Sequence, residues 1–310
     1  MRIKYLKLTI LLITVFSTSL FSQDRMLMMS QYVHNQYMLN SAFGGSREVL
    51  SLFGSYRQQF AGYENPPNSQ SFSLHAPLKN EKIALGALIH NESYSLYGGT
   101  KANMSYTYRM FTESGTKVAL SLNAGIMAHS WGKHADIDPL EIDDPTLAMF
   151  DSIQTDSRFS MGFGSAWYGK NFFLGFSVYD FFSRAPYDPD ASFFSFGKPA
   201  FLFTGGYLFD VSEIFRVQPS LLFVIEPEGV MTADFSVSAI LLDMLWAGGT
   251  YRTNKELVGM LGVNVTPQLR VTYSYDSPTG DLKKLSAGSH EISLQFDFGY
   301  KIITSNPKFF

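Results

Sequence analysis

The sequence predicts an all-β protein, a transmembrane antiparallel β-barrel of about 14 strands that follows a short N-terminal pre-barrel segment. Three observations lead to this prediction. The chain begins with the pattern of a secretion signal, almost every later stretch alternates between apolar and polar residues, and the connections between these stretches alternate in length. A soluble two-sheet protein can alternate in a similar way, but it does not account for all three features.

Residues 1–22 have the organisation of a signal peptide. A positively charged start (Arg2–Lys7) precedes an apolar run (Leu8–Phe16) that is too short to span a bilayer as a helix. Small and polar residues follow, and cleavage after Ser22 would remove the whole pattern. We therefore exclude this region from the fold.

The composition excludes several classes of protein. Of the 310 residues, 28 are Phe and 17 are Tyr, and only 16% are charged, whereas roughly a quarter is usual for a soluble domain. The net charge of −3 and the lack of a Lys/Arg run give no field that would hold nucleic acid. The absence of cysteine excludes disulfides, thiolate catalysis and sulfur-ligated zinc. No linker interrupts the strand pattern, so we predict one barrel domain over residues 49–298.

The alternation is clearest near the end of the chain, where Ile292, Leu294, Phe296 and Phe298 share one face and the residues between them are polar or charged. Such a strand has one face suited to lipid and one suited to a lumen. In a few almost uniformly apolar strands the two faces are not distinguishable. The candidate strands are 49–57, 69–76, 83–91, 100–110, 116–131, 158–168, 172–179, 200–209, 215–225, 231–240, 245–252, 257–265, 268–276 and 290–298.

The connections support a membrane barrel and give it an orientation. When they are numbered along the chain, every long connection is odd, including 58–68, 132–157, 180–199 and 277–289. The even ones are short turns. Bacterial barrels have short periplasmic turns and longer external loops. We therefore expect the odd connections to face the outside and the last residues, 299–310, to form a C-terminal tail.

The polar faces predict the lining of the lumen. Small hydroxyl side chains dominate them, with charges of both signs among them. The predicted lumen-lining residues include His75, Arg109, Asp234, Arg270, Glu291 and Asp297. A barrel of this strand number is too wide for its own short side chains to fill. Water, a folded-in loop, the N-terminal segment or a partner must occupy the interior.

Residues 23–48 precede the first strand and differ from the rest of the chain. Apolar residues at positions 28, 32, 33 and 39 have a loose helical spacing, and tyrosine and amide side chains are frequent. Such side chains suit half-buried polar contacts. We predict a periplasmic segment that is either a flexible leader or capping helix, or a plug or docking segment.

Three motifs occur in the first quarter of the chain. Residues 30–46 form a Tyr/Asn-rich opening that ends in the turn Asn40–Gly45, Tyr56–Gln59 is a Tyr-Arg-Gln-Gln strand end, and Ser71–Pro77 is a Ser-Phe-Ser-x-His-x-Pro strand. Together they resemble the PorP/SprF family of type IX secretion, in which the turn is Asn-Pro-Ala-Tyr-Ala-Gly-like. Here Ser replaces the Pro and Phe replaces the Tyr.

The resemblance implies a non-enzymatic outer-membrane protein that supports secretion or surface retention of large cargo proteins such as gliding-motility adhesins. Its partners would be that secreted surface cargo, the type IX secretion machinery including periplasmic ring components, and outer-membrane lipid. Tyr and Arg often carry interface energy. The candidate partner-binding residues are Tyr32, Asn35, Tyr37, Asn40, Tyr56, Arg57, Gln58 and Gln59. Two alternatives stay open: these residues brace the barrel, or the protein is a channel for diffusion or uptake of small solutes.

No catalytic site, cofactor or metal is predicted. The densest cluster of potential ligands comprises His129, His134 and the carboxylates between Asp136 and Asp144. Carboxylates of this kind can bind calcium, but the spacing is not that of a dedicated calcium loop, and acidic external loops are usually solvated. Nothing resembles the Gly-x-Ser-x-Gly nucleophile motif.

Overall fold

The computed structural model describes most of the barrel and the end of the pre-barrel segment. The described residues are 29–62, 65–94, 97–131, 154–183, 199–226, 229–279, 283 and 286–299. The predicted signal peptide with its cleavage site, the start of the pre-barrel segment, most of the two longest connections and the tail after Gly299 lie outside these ranges. So does the acidic cluster between His134 and Asp144.

Fourteen antiparallel strands form one sheet that closes into a barrel, and the predicted fold class is thus confirmed. Short β9 continues β8 as part of one interrupted strand, because both pair with β10. The elements are β1 (Leu50–Gln58), β2 (Asn68–Pro77), β3 (Ile83–Tyr94), β4 (Tyr97–Phe111), β5 (Lys117–Trp131), β6 (Gln154–Tyr168), β7 (Phe172–Ser183), β8 (Ala200–Tyr207), β9 (Phe209–Asp210), β10 (Phe215–Ile225), β11 (Met231–Leu241), β12 (Leu245–Arg252), β13 (Glu256–Asn264), β14 (Leu269–Pro278) and β15 (Ser289–Phe298).

The barrel closes between its first and last strands. The antiparallel pairing of β1 with β15 runs from Leu50 opposite Phe298 to Gln58 opposite His290. At the interrupted strand, β10 pairs with β8 and β9 on one side and with β11 on the other. With β8 and β9 counted as one strand, each described strand therefore has a neighbour on both sides, which satisfies the backbone groups that lipid cannot hydrogen-bond.

The outer wall is apolar and the inner wall mainly polar. In β15, Leu294 is 52% exposed on the outside, whereas the adjacent Gln295 is only 4% exposed and faces the interior. In β4, Met104 on the outside is 76% exposed, whereas the adjacent Ser105 on the inside is 7% exposed. This matches the alternation that the sequence predicts for an outer-membrane barrel. Among the described residues, no helix is long and apolar enough to cross a membrane.

Some apolar side chains of β7 and β8, the strands whose faces the sequence did not distinguish, point inward. Phe173 is buried in contact with Phe43 of the pre-barrel segment, with ring centroids 6.0 Å apart. Leu202 belongs to a buried cluster that includes Val33 and Leu39 of the same segment. The inner wall is apolar at these positions because the pre-barrel segment brings apolar groups to them.

The two ends of the barrel differ in their connections. At one end, which we call the short-turn end, successive strands are joined by short turns at 78–82, 112–116, 169–171, 211–214, 242–244 and 265–268. The opposite end, which we call the long-connection end, carries all the longer connections. By the rule for bacterial barrels, the short-turn end is expected to face the periplasm.

A charge placed on the outer wall should destabilise the barrel strongly in the middle of a strand and only slightly at a turn. We expect Leu294→Arg to lower the free energy of unfolding by roughly 2–4 kcal/mol, because its side chain is exposed on the outer wall in the middle of β15. The matched control is Leu242→Arg in the short turn after β11, where Leu242 is 56% exposed and a charge should cost about 0–1 kcal/mol. Urea titration in lipid vesicles measures the free energy of unfolding of both variants. Equal losses in the two variants would contradict the assignment of Leu294 to the lipid-facing side.

Candidate functional site: the occupied barrel interior

Residues 29–48 lie inside the barrel, and we call them the luminal segment. Residues 29–45 are all buried. Regular structure in the segment is restricted to two short 3-10 helices, Gln36–Met38 and Ser41–Phe43. The loose helical spacing in the sequence therefore does not produce a continuous helix. The sequence left open whether water, a folded-in loop, the N-terminal segment or a partner occupies the interior. In the structure, residues 29–48 of the N-terminal segment occupy it.

At the long-connection end, the luminal segment is held at Ser30. Its backbone N–H donates to Glu291 (2.8 Å) and its hydroxyl donates to Asp276 (2.5 Å). The guanidinium of Arg57 donates to the same hydroxyl (2.9 Å) and pairs with Asp276 (2.7 Å) and Glu291 (3.2 Å). Because Arg57 belongs to β1 and the carboxylates to β14 and β15, these contacts join the segment to the strands at which the barrel closes.

A second arginine, Arg252, extends this network. Its Nε lies 3.1 and 3.0 Å from the two carboxylate oxygens of Asp234, and another guanidinium nitrogen lies 2.7 Å from Glu256. It also donates to the hydroxyl of Ser30 (3.3 Å). We call Ser30, the two arginines and the four carboxylates the Ser30 cluster. Its charged residues are all buried, and each arginine offsets the cost of burying neighbouring carboxylates.

In its middle, the luminal segment hydrogen-bonds to hydroxyl groups of the inner wall. The phenol of Tyr32 lies 2.9 Å from the hydroxyl of Ser236, and that of Tyr37 lies 2.8 Å from Ser105. The amide of Gln31 donates to a backbone carbonyl of β15 (2.9 Å). Small hydroxyl side chains leave room for the large phenol rings and also bond to them, which explains why they dominate the inner faces.

Asn40 connects the luminal segment to β6 and β7. Its amide nitrogen donates to the backbone carbonyls of Ser165 (2.9 Å) and Phe176 (3.2 Å). Its amide oxygen accepts from the N–H of Ala42 (2.9 Å) and so caps the second 3-10 helix. A carboxamide suits this position because it combines donor and acceptor in one side chain.

At the short-turn end, Arg109 anchors the luminal segment. Its fully buried guanidinium donates to the carbonyl of Gly45 (2.7 Å) and pairs with Glu48 (3.2 Å). Glu48 also pairs with Lys117 at the start of β5. These contacts fix the chain where it leaves the interior and enters β1.

The last residue of the family-like turn, Gly45, has a position that excludes other residues. Its φ is +72°, and an added Cβ would lie 2.7 Å from the Cβ of Ala84. The N–H of Gly45 also donates to Nδ1 of His75 (3.0 Å), so the backbone must stay close to the wall. The positive φ and the close approach both require glycine.

The contacts give the luminal segment a direction through the barrel. Ser30 contacts β1, β12, β14 and β15 near the long-connection end, whereas Glu48 contacts β4 and β5 at the short-turn end. Along β15, the contacts pass from Glu291 at Ser30 to Asp297, which pairs with Arg47 (3.2 Å). The strand between these two carboxylates covers about 20 Å. The chain therefore crosses the interior before it begins β1.

The predicted partner-binding residues lie in different environments. Five of them are buried in the interior: Tyr32, Asn35, Tyr37, Asn40 and Arg57. Tyr56 is 44% exposed on the outer wall, and Gln58 and Gln59 are half-buried at the long-connection end. Partner binding stays a prediction for all eight, and a partner would reach the buried five only after movement of the luminal segment.

The inner wall also holds the predicted lumen-lining residues and others that the sequence analysis did not select. The predicted six are buried: His75, Arg109, Asp234, Arg270, Glu291 and Asp297. The sequence analysis missed Arg252, Glu256 and Asp276 on the wall, although charged residues on inward faces near strand ends were a visible signal. It also missed Ser30 and Glu48 of the luminal segment, which belong to no strand. Within the described ranges, no group of three or more His, Asp and Glu side chains could hold a metal ion.

The Ser30 cluster should be needed for a stable fold. Arg57→Ala removes the ion-pair partner of the buried Glu291 and the nearer of the two arginines that pair with Asp276. We expect it to lower the free energy of unfolding by about 3–5 kcal/mol. Arg216→Ala is the control, because Arg216 pairs with the exposed carboxylates of Asp210 and Asp243 (3.1 and 2.9 Å) and such pairs contribute about 0–1 kcal/mol. Urea unfolding in detergent compares the two, and a similar loss in both would contradict the role of the cluster.

Solved structures share the barrel fold at low sequence identity. The Ralstonia pickettii toluene transporter TbuX superposes with a TM-score of 0.52 and 11% identity, over 85% of this chain and 93% of that chain. The CymD monoaromatic hydrocarbon channel has a TM-score of 0.49 and 14% identity, over 88% and 94% of the two chains. The Acinetobacter baumannii outer membrane protein Omp33 has a TM-score of 0.46 and 9% identity, over 81% and 98%. At these identities, the similarity to TbuX supports the fold alone.

Among curated protein sequences, none matches this chain. The family model described as type IX secretion system membrane protein PorP/SprF matches residues 22–296, which is most of the chain. The match extends beyond the N-terminal motifs over nearly the whole barrel, and together with the fold it locates the protein in the outer membrane. The chain belongs to the PorP/SprF family of type IX secretion system membrane proteins.

Proposed function

We propose that this protein is a non-enzymatic outer-membrane component of type IX secretion that supports secretion or surface retention of large cargo proteins such as gliding-motility adhesins. It does so by binding the cargo or the secretion machinery, including periplasmic ring components. Family membership supports the general role. The observation that supports a binding role over a small-solute channel is the occupied interior.

The interior is unsuited to solute flow because the chain fills it with its own residues. Tyr32, Val33, Met38 and Phe43 are each 0% exposed inside the barrel. The luminal segment hydrogen-bonds to strands on opposite sides, from Ser105 in β4 to hydroxyl groups in β11 and β14. A passage would require these contacts to break together.

The short-turn end offers a surface for a protein partner. Three neighbouring turns, which we call the apolar turn arc, carry exposed side chains of Val211 (62%), Ile214 (55%), Leu242 (56%), Met244 (43%) and Val265 (57%). Backbone hydrogen bonds of 2.8 Å link the first turn to the second, and the second to Asn264 at the end of β13, just before the third. By contrast, the turn at 112–116 is polar throughout. Clustered exposed apolar side chains are typical of interaction sites.

Leu242 strengthens this interpretation because its backbone conformation disfavours leucine. Leu242 and Asp243 have φ of 53° and 54°, and both positions of such a turn favour Asn or Gly. A branched side chain there costs about 1–2 kcal/mol. An exposed leucine side chain held in a strained turn supports a contact with another molecule.

The charges beside the apolar turn arc favour a protein over the membrane surface as its occupant. Asp210, Glu213 and Asp243 are exposed there and Arg216 is the neighbouring cation. Membrane-interface segments are instead rich in Lys, Arg and aromatic residues. A machinery component with a basic rim around an apolar patch would complement this surface.

Co-purification from gently solubilised outer membranes tests the proposal. We expect the wild type to recover a large secreted surface protein or secretion machinery components. The double variant Ile214→Asn, Leu242→Asn should fold, because Asn suits the positive φ of residue 242. It should no longer recover the machinery components, because both substitutions remove apolar contact surface. The control variant Glu113→Asn, Ser114→Asn in the polar turn should still recover the machinery components. Recovery of neither partner class by the wild type would overturn the proposal.

Planar bilayers separate this function from the channel alternative. With the luminal segment in place, we expect the purified wild type to show no steady ion conductance. Sustained conductance, together with a lack of recovered protein partners, would favour a channel for small solutes.

A further inference from the structure

A groove runs along the outer wall of the barrel over β6, β7, β8 and β10. Its floor is Gly205 of β8, which lies in the sheet between Leu174 of β7 and Leu221 of β10. Both leucine side chains are about half exposed, and they flank a residue that has no side chain. An added Cβ at Gly205 would lie 3.1 Å from the end of Leu174. The wall is therefore recessed where glycine occupies this position, and we call the recess the Gly205 groove.

Two adjoining cavities make up the Gly205 groove. The cavity nearer the short-turn end has a volume of about 740 Å³ and the other a volume of about 440 Å³. Trp167, Leu174, Gly205 and Leu221 line both, so the two cavities are continuous. Volumes of this size are typical of ligand sites, which are also lined mainly by apolar and aromatic groups. The remaining lining residues include Phe172, Tyr207, Phe209 and Pro219 in the first cavity and Phe176 and Phe203 in the second.

The length of the groove matches one leaflet of the membrane. From Phe203 in β8 to Phe209 in β9, the interrupted strand covers about 20 Å. Strands of such barrels are tilted by about 35–45°, so this length corresponds to roughly 15 Å of depth. That is half of a hydrocarbon core of about 30 Å. One acyl chain that begins at the short-turn end would therefore run along the whole groove.

At the short-turn end, the rim of the groove combines aromatic and cationic side chains. The rings of Trp167 and Phe172 meet edge to face with centroids 5.0 Å apart, and those of Tyr207 and Phe209 are 4.6 Å apart. Lys170 lies in the turn between Trp167 and Phe172, where it is exposed and has no ion-pair partner among the described residues. Aromatic and basic side chains mark the level of lipid headgroups, and an ammonium group binds phosphate.

We propose that the Gly205 groove binds a phospholipid of the periplasmic leaflet, with one acyl chain in the groove and the phosphate at Lys170. The leaflet follows from the rule that short turns face the periplasm. The carboxylate on the other side of the rim, Asp210, is already paired with Arg216 (3.1 Å). The aromatic rim also differs from the apolar turn arc, whose exposed apolar side chains are aliphatic. Lipid binding here does not depend on the proposed function, because it needs no protein partner.

Retention of phospholipid by the purified barrel tests the proposal. The protein is extracted from outer membranes in mild detergent and washed, and native mass spectrometry counts the bound lipid. Gly205→Leu places a side chain in the groove, where the flexible end of Leu174 can move aside. Gly259→Leu is the matched control, because Gly259 is exposed on the outer wall in β13 and an added Cβ there meets nothing within 4 Å. Lys170→Gln removes only the cation, and heat-modifiability confirms that each barrel is folded.

We expect the wild type and Gly259→Leu to retain a phospholipid. Gly205→Leu should retain about tenfold less, the change expected when about two methylene contacts are lost, and Lys170→Gln should also retain less than the wild type. Equal retention by the wild type and Gly205→Leu, or none by the wild type, would overturn the proposal. Lipopolysaccharide or a protein bound in place of phospholipid would overturn it as well.

A photoreactive phospholipid tests the site without any substitution. It carries a diazirine at the end of one acyl chain and is added to the wild type in equimolar amount. We expect cross-links to Phe176 and Phe203 in preference to Leu294, although Leu294 is more exposed than Phe203 (52% against 44%). Cross-links distributed over the outer wall in proportion to exposure would show unspecific lipid contact and contradict a defined site.

Discussion

Hydrogen bonding between the luminal segment and the inner wall is the interaction on which the rest of the structure depends. A barrel of fourteen strands encloses more space than short side chains can fill, and the inner faces here carry mostly serine, threonine and charged groups. Tyrosine and amide side chains of the segment fill that space and bond to those groups at the same time. The wall and the segment are therefore complementary parts of one core.

Charge is concentrated at the two ends of this core. At the long-connection end, two arginines and four carboxylates surround Ser30, and at the short-turn end Arg109 and Lys117 share Glu48. Between them the contacts are mostly neutral hydrogen bonds and apolar packing. Removing one member of a buried ion pair is costly, so the end contacts hold the segment in place while its middle fills the barrel. Release of the segment would have to begin at one of these ends.

The barrel itself could be predicted from the sequence because it depends on local periodicity. Every candidate strand is present, with ends that differ by at most four residues, and the inward positions of Arg270 and Glu291 follow from alternation alone. The course of residues 29–48 could not be predicted in this way. Its contacts join positions more than two hundred residues apart, as between Ser30 and Asp276, and no periodic pattern specifies them.

The inward phenylalanine of β7 illustrates the same limit. Alternation predicts polar inner faces, but Phe173 faces inward because Phe43 lies opposite to it. A uniformly apolar strand was the signal that something apolar occupied the interior, and its source could not be identified without the path of the segment. The residues of the inner wall could thus be predicted from the sequence, whereas the segment that fills the interior could not.

Disulfide formation between the segment and the wall tests the central claim most directly. The hydroxyl oxygens of Ser41 and Ser121 lie 2.8 Å apart, so the variant Ser41→Cys, Ser121→Cys should form a disulfide in native outer membranes on mild oxidation. The control variant Ser41→Cys, Ser274→Cys should not, because Ser274 contacts Gln31 in another part of the interior. Quantitative cross-linking of the first pair alone is the expected result. Free, reactive thiols in the first pair would contradict an interior filled by the protein's own chain.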